Sequence, residues 1–220
     1  MKRYAPSEIL AMGKTIITAH SGCENTPPNS REHILAAIAS GSEMIEFDVR
    51  MVEGELRLSH DVPEDPASCI TLRECFSLVA PEENLHMNID VKTEGLLESV
   101  MALAKDFSLE HRIIFTGACN DDRELALSLG SDVWRSMWPG QEIADGIAAN
   151  QKDGSPFLNV AYCMITEENN KELCESGFGF SAWTVDKTYF LKLFLKMGIS
   201  NITTRNPVLA MELRKEIQGI

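Results

Sequence analysis

Three carboxylic acids lie near the ends of predicted strands, where together they could bind a metal ion. Glu46 and Asp48 are two residues apart in the apolar run 44–52, so their side chains share one face of a strand. Asp90 has a similar place in the run 86–92. Carboxylates that share a cavity are costly unless a cation compensates them, and oxygen ligands favour hard divalent ions. We therefore expect one Mg²⁺ or Ca²⁺ at these residues; the alternative is an acidic patch neutralised by water or a lysine.

Two histidines end predicted strands beside this cluster. His20 closes the first strand, and His60 closes the returning limb of a hairpin whose turn is centred on Gly54. The antiparallel limb brings His60 back to the level of the carboxylates. The remaining histidines, which we expect to lie away from the site, are His33, His86 and His111.

Strand and helix patterns alternate along the whole chain. The strands are predicted at 15–20, 44–52, 56–60, 86–92, 112–117, 132–136, 157–162, 179–185 and 201–204. The helices are predicted at 30–41, 71–80, 95–106, 121–129, 140–151, 167–176, 187–197 and 207–217. Because three residues between the second and third strands leave no room for a crossover helix, that pair is a hairpin and eight βα units remain. The sequence therefore predicts one compact TIM barrel over 1–220, whose chemistry lies at the carboxyl ends of its strands.

The composition is that of a globular protein with an acidic surface. The chain has 220 residues, 44% of them hydrophobic, and a formal net charge of −13. This charge argues against nucleic acid and anionic membranes as partners and leaves a small molecule as the expected ligand. Residues 1–14 lack the apolar run of a signal peptide, no stretch approaches a membrane span, and the six cysteines form no CxxC motif. We expect a cytoplasmic protein with reduced thiols and no membrane anchor; the oligomeric state is left open.

The motifs, taken in order, resemble the glycerophosphodiester phosphodiesterases of the phospholipase C-like phosphodiesterase superfamily. The matching segments are AHSGCENTPPN, GSEMIEFDVRMVEGELRLSHD, NIDVK, SAWTVD and NITTRNP. Family members begin with His-Arg-Gly and Glu-Asn-Thr, followed by a Glu-x-Asp strand and a His-Asp pair. The resemblance implies a TIM barrel that uses a divalent metal to cleave glycerophosphodiesters, or similar small phosphodiesters, into glycerol phosphate and an alcohol. It leaves open whether the neighbouring glycerol hydroxyl or water attacks first.

The resemblance also gives each matching position a role. The general acid and base are His20 and His60, and the metal ligands are Glu46, Asp48 and Asp90. The substrate-binding positions are Lys92, Trp183 and Ser21, and the loop-shaping residues are Glu24 and Asn25. Trp183 could equally be a packing residue at the top of the barrel.

Three departures from the family pattern bear on activity. Ser21 replaces an arginine that could bind two phosphate oxygens at once, which leaves Lys92 and the metal to bind the anion. Cys23 stands where proline is usual, and Asp90 is one methylene shorter than the family's glutamate. These changes keep open a non-catalytic or weakly active phosphodiester-binding barrel. A phospholipase-like headgroup hydrolase of the same superfamily is a further alternative, against which the acidic charge and the lack of a basic amphipathic helix argue.

Overall fold

The computed structural model describes residues 14–219, which contain nine strands and eight α-helices. The strands are β1 (Ile16–Ala19), β2 (Met44–Val52), β3 (Glu55–Leu58), β4 (His86–Val91), β5 (Ile113–Gly117), β6 (Arg135–Met137), β7 (Phe157–Ala161), β8 (Gly179–Trp183) and β9 (Asn201–Thr204). The helices are α1 (Arg31–Ser40), α2 (Leu72–Val79), α3 (Leu97–Lys105), α4 (Arg123–Ser128), α5 (Ile143–Asp153), α6 (Glu167–Glu175), α7 (Thr188–Met197) and α8 (Pro207–Gln218). Each predicted element is present. The interpretation of the N-terminal segment falls on residues 1–13, outside the described ones.

Eight of the strands form a parallel barrel. Their order is β5-β4-β2-β1-β9-β8-β7-β6, and β3 pairs with β2 outside this path. The ends meet through a parallel bridge between Phe115 and Val133, supported by backbone hydrogen bonds from Phe115 to Asp132 and from Trp134 to Phe115, both 2.9 Å long. The predicted TIM barrel is confirmed. The sixth strand is shorter than predicted and begins at Arg135, because the chain before it makes this single bridge.

The hairpin after the second barrel strand has the predicted register. Val49 pairs with Leu58 and Met51 pairs with Leu56. The turn at Glu53 and Gly54 uses positive φ angles of 50° and 81°, which glycine adopts at little cost. Between β3 and α2 the chain forms only a short 3-10 helix at Pro66–Ser68, so no large insertion covers this side of the barrel.

Local sequence signals start and stop the helices that surround the barrel. The Thr71 hydroxyl accepts a hydrogen bond from the Glu74 amide, and the Glu74 carboxylate accepts one from the Thr71 amide, which together form a capping box at the start of α2. Gly198 ends α7 in the left-handed conformation at φ 69°. Inside the barrel, Trp134 and Phe157 pack with ring centroids 4.3 Å apart.

None of the described helices is long and apolar enough to cross a membrane. All six cysteines are free thiols, in line with their irregular spacing. Cys23 is buried, and burial raises its pKa to about 12, so its thiol is not poised as a nucleophile.

Candidate active site

A cavity of about 290 Å³ opens at the carboxyl ends of the barrel strands. It is lined by seven of the residues selected from the sequence: His20, Glu46, Asp48, His60, Asp90, Lys92 and Trp183. They come from segments far apart in the chain, and the parallel barrel brings them to one end. This is the end at which such barrels carry their chemistry.

Strand register brings the three carboxylates together. Glu46 and Asp48 alternate with apolar residues on β2, and Asp90 on β4 is the direct register partner of Asp48. One oxygen from each of the three lies within 4.8 Å of the others. The cluster predicted from alternation along two strands is therefore present.

The carboxylates are held close at an electrostatic cost. Burial, with further repulsion from Asp48 and Asp90, raises the pKa of Glu46 well above its ordinary value. Burial also raises the pKa of Asp90, although Lys92 opposes this shift. The Lys92 ammonium lies 2.8 Å from Asp48 and 3.0 Å from Asp90. Burial alone would lower the pKa of Lys92, but the two aspartates outweigh it and raise that pKa, so the lysine stays charged.

The donor set fits a hard divalent cation. Asp90 Oδ1 is buried and has no hydrogen-bond partner among the described residues, which is a costly state for a carboxylate oxygen. It lies against Gly117, whose φ is 89°, and a Cβ at that position would collide with this oxygen. Among residues 14–219, no lysine or arginine forms an ion pair with Glu46, the third carboxylate. An all-oxygen cluster with an unsatisfied member is what Mg²⁺ or Ca²⁺ would complete.

Asn29 supports the cluster from the loop after β1, and sequence reasoning missed it. Its amide Nδ2 donates to Asp48 Oδ2 at 2.7 Å, and its Oδ1 accepts from the Asp48 backbone at 3.0 Å. The residue has a φ of 54°, a conformation that asparagine tolerates better than most residues. Its place in the TPPNS turn was the available signal.

Ser21 lies behind the cavity, which differs from its expected place beside the substrate. Its Oγ accepts a hydrogen bond from the Asn29 amide at 2.9 Å, and its own amide donates to Glu46 Oε2 at 3.0 Å. The side chain is 3% exposed and does not line the cavity. The Ser21 backbone amide thus helps to position the Glu46 carboxylate, while its hydroxyl faces Asn29.

His20 is held in one orientation at the cavity. Its Nδ1 lies 2.9 Å from the carbonyl oxygen of Ser21, and since a carbonyl only accepts, Nδ1 carries the proton. In the neutral ring Nε2 then has a free lone pair, and it lies 3.8 Å from Glu46 Oε2. Burial, and next the charge of Arg205, lower the pKa of His20, so the neutral form dominates at pH 7.

His60 also lines the cavity but is much more open to solvent. Its ring is 65% exposed, and Nδ1 lies 3.1 Å from the carboxylate of the next residue, Asp61. The carboxylate can accept a hydrogen bond from Nδ1. Arg50 Nε donates to the His60 carbonyl at 2.9 Å and fixes the backbone here.

Two tryptophans form part of the cavity wall. The predicted Trp183 is half-buried, and its Nε1 has no hydrogen-bond partner among the described residues. Trp138, after β6, is 43% exposed and was not selected from the sequence. Its position at the carboxyl end of a strand, in MWPG, was the signal.

The loop-shaping pair lies outside the cavity lining. Glu24 and Asn25 both have positive φ, 52° and 62°. The Glu24 amide donates to the Arg205 carbonyl at 2.8 Å, and its Oε1 accepts from the Val208 amide at 3.2 Å. These bonds tie the loop after β1 to the first turn of α8.

One of the three histidines expected to lie away from the site is closer than predicted. His33 is fully buried on α1, and both ring nitrogens lack hydrogen-bond partners among the described residues. Burial and the charge of His20 lower its pKa to about 4, while Asp48 opposes this shift. The buried face of α1 thus packs directly behind the site.

Comparison with known proteins agrees with the resemblance that the sequence motifs predict. A curated glycerophosphodiester phosphodiesterase from Caldanaerobacter subterraneus subsp. tengcongensis is 23% identical over 238 residues, covering 88% of this chain and 95% of the relative. The chain resembles the glycerophosphodiester phosphodiesterases over most of its length. This relative, whose name is that of a phosphoric diester hydrolase, confirms the predicted resemblance. No family model matches the chain.

Solved structures confirm the fold. A glycerophosphodiester phosphodiesterase from Thermotoga maritima superposes with a TM-score of 0.77 at 19% identity, covering 91% of this chain and 98% of that one. An Oleispira antarctica phosphodiesterase in complex with the product sn-glycerol-3-phosphate superposes with a TM-score of 0.74 at 15% identity, covering 93% and 98%.

Proposed function

We propose that this protein is a metal-dependent phosphodiesterase that hydrolyses glycerophosphodiesters, or similar small phosphodiesters, to glycerol phosphate and an alcohol. The observation that carries this proposal is the convergence of Glu46, Asp48 and Asp90 with two histidines at one cavity. Carboxylates for a cation and imidazoles for proton transfer are the groups that cleavage of a phosphodiester needs. The relatives are named for this reaction.

His20 acts as the general base. Its Nδ1 proton is held by the Ser21 carbonyl, so Nε2 is the nitrogen that accepts the proton of the attacking hydroxyl. The lowered pKa keeps the ring neutral at physiological pH, as a base requires. The attacking group is water or the neighbouring glycerol hydroxyl, and His20 serves either.

His60 acts as the general acid. Asp61 accepts a hydrogen bond from Nδ1 and orients the ring, which leaves the Nε2 proton for the departing alkoxide oxygen. Its open position suits a leaving group that points towards solvent. His20 thus accepts one proton from the nucleophile, and His60 donates one proton to the leaving group.

A divalent cation bound by Glu46, Asp48 and Asp90 would stabilise the negative charge that develops on the phosphate in the transition state. Lys92 holds Asp48 and Asp90 in place and adds a positive charge at the cavity wall. The chain would work on glycerol-linked metabolites in the cytoplasm, in lipid and glycerol metabolism. Its net charge of −13 supports a small-molecule substrate over nucleic acid or a membrane surface.

The test is hydrolysis of glycerophosphocholine with and without chelator, and then with Mg²⁺ or Ca²⁺ restored. We expect activity to disappear with chelator and return with the ion. Asp90→Asn should abolish it, whereas Asp106→Asn, at an exposed ion pair far from the cavity, should not. A wild-type protein that binds glycerol phosphate without any turnover would support the non-catalytic barrel instead.

His60→Ala separates the two histidines. Bis(p-nitrophenyl) phosphate releases p-nitrophenolate, which needs no proton, so this variant should lose less activity on it than on glycerophosphocholine. Equal losses on both substrates would contradict the acid role of His60.

A further inference from the structure

Arg205 brings a guanidinium to the cavity that the proposed mechanism does not use. It follows β9 directly, and the parallel pairing of Ala19 with Thr204 puts it level with His20 on the neighbouring strand. The His20 amide donates to the Thr204 carbonyl at 2.9 Å, which continues this register. Arg205 lines the cavity.

The side chain is positioned and remains partly open to solvent. Its Nη1 donates to Asp186 Oδ2 at 2.9 Å, and its backbone amide donates to Asp186 Oδ1 at 2.8 Å. The Asn206 side-chain Nδ2 donates to the Asp186 backbone carbonyl at 3.1 Å and fixes the same loop. Nevertheless the Arg205 side chain is 48% exposed. A guanidinium has five N–H donors, so one contact to Asp186 leaves donors for a ligand.

The charge balance of the cavity points to the same role. Among the described residues that line it, the lysines and arginines are Lys92 and Arg205. Lys92 is occupied by Asp48 and Asp90, whereas Arg205 contacts neither. Arg205 does act on the centre of the site, because its charge contributes to the lowered pKa of His20.

We propose that Arg205 binds the non-bridging phosphate oxygens of the substrate. It supplies, from the end of β9, the guanidinium that the family resemblance leads one to expect at position 21. Ser21 faces Asn29 behind the cavity, and the guanidinium comes instead from the end of β9, the strand adjacent to β1. This inference rests on the proposed function for the identity of the ligand, a phosphate ester of glycerol.

The experiment measures binding of sn-glycerol 3-phosphate by calorimetry, together with steady-state hydrolysis of glycerophosphocholine. Arg205→Gln should weaken glycerol phosphate binding by about tenfold or more, the loss expected when a charge-assisted contact to phosphate is removed. KM should rise by a similar factor and kcat should change little. Arg205→Lys keeps the positive charge but not the planar guanidinium that can bind two oxygens at once. Its affinity for glycerol phosphate should lie between those of the wild type and Arg205→Gln. Arg73→Gln is the matched control, since Arg73 pairs with Asp106 at 2.9 Å on the outer face.

A purely structural role for the Arg205–Asp186 pair predicts a different pattern. Loss of a structural pair would disturb the cavity and weaken Mg²⁺ binding as well, whereas loss of a phosphate ligand leaves Mg²⁺ affinity unchanged. Unchanged glycerol phosphate affinity and KM in Arg205→Gln, or a parallel loss of Mg²⁺ affinity, would overturn the inference. Because binding is measured without turnover, an Arg205-dependent affinity in a protein that hydrolyses nothing would defeat the proposed function and leave this inference standing. Hydrolysis with the same rate and KM in Arg205→Gln as in the wild type would support the proposed function and overturn this inference.

Discussion

Two glutamates three residues apart in the sequence differ in how their carboxylates are compensated: cations neutralise the one at the amino end of the barrel but not the one at its carboxyl end. The carboxylate of Glu43, just before β2, accepts hydrogen bonds from Arg214 through both of its oxygens, at 2.7 and 3.0 Å. It also accepts one from the Lys14 ammonium at 3.0 Å and one from the Ile17 backbone amide at 3.1 Å. Burial alone would raise the pKa of Glu43, but Arg214 and Lys14 outweigh it and lower that pKa. Glu46, at the other end, has one backbone donor and two neighbouring aspartates, and its pKa is raised.

The amino end is therefore built for stability, and the carboxyl end stores repulsion that a ligand can relieve. Uncompensated buried charge is disfavoured in folding, and it persists where function uses it. Substitutions at the two ends should accordingly have opposite consequences for turnover and for the free energy of unfolding.

The largest expected effect is on turnover at the carboxyl end. His20→Ala should lower kcat by roughly 10² to 10⁴, the usual contribution of a general base, with little change in thermal stability. His86→Ala, at the start of β4 and the opposite end of the barrel, should leave kcat near wild type. Steady-state hydrolysis of glycerophosphocholine measures kcat for both variants. A comparable loss of kcat in the two would contradict the assignment of catalysis to the carboxyl end of the barrel.

At the amino end the main effect should be on stability. Glu43→Gln leaves Arg214, whose side chain is 5% exposed, without its carboxylate. Breaking such a pair from one side should cost about 2–3 kcal/mol, with kcat unchanged. Urea denaturation measures the loss. A stability within 0.5 kcal/mol of wild type, an approximate limit set by ordinary surface substitutions, would show that this ion cluster is not what holds the amino end.

The sequence predicted the carboxylate cluster because it depends on rules that act along and between strands. Glu46 and Asp48 follow from alternation, and Asp90 from the rule that parallel strands end together. Arg205 directly follows β9, so the same strand-end rule applies to it, and it was overlooked. Asn29 follows no such rule, since it sits in a loop whose path is set by hydrogen bonds to residues distant in the chain. The direction of Ser21 was missed for the same reason: its hydroxyl turns to an amide eight residues away.

The buried histidine behind the site should make the fold sensitive to mild acid. The pKa of His33 falls from 6.5 to about 4 on folding, so between these values the unfolded chain binds a proton that the folded chain does not. Stability should therefore fall as the pH drops from 6.5 to 4, by about 2–3 kcal/mol from this residue.

His33→Leu removes this titration and should flatten that part of the stability profile, while the contributions of His20 and His86 remain. Glu43 contributes at a lower pH, because its lowered pKa gives stability that is lost only below its ordinary value of 4.5. Denaturation at several pH values separates the two. An unchanged slope between pH 6.5 and 4 in His33→Leu would count against a buried neutral imidazole.

The smallest expected effect has the opposite sign. Glu46→Gln keeps the shape of the side chain but removes its repulsion with Asp48 and Asp90. With chelator present, the variant should be more stable than wild type by roughly 1 kcal/mol, and the gain should grow with pH as Glu46 ionises in the wild type. Urea denaturation at pH 7 and 8 measures it; a destabilised variant would mean that Glu46 is compensated within the protein.

The most direct measurement is calorimetric titration of Mg²⁺ and Ca²⁺ into the wild type, Glu43→Gln, and the double variant Glu46→Gln, Asp48→Asn. We propose that the carboxylates at the barrel mouth bind one divalent cation. The wild type and Glu43→Gln should therefore bind one ion with similar affinity, and the double variant should bind none in the same range. Undiminished affinity in the double variant, or no binding to the wild type, would contradict the account.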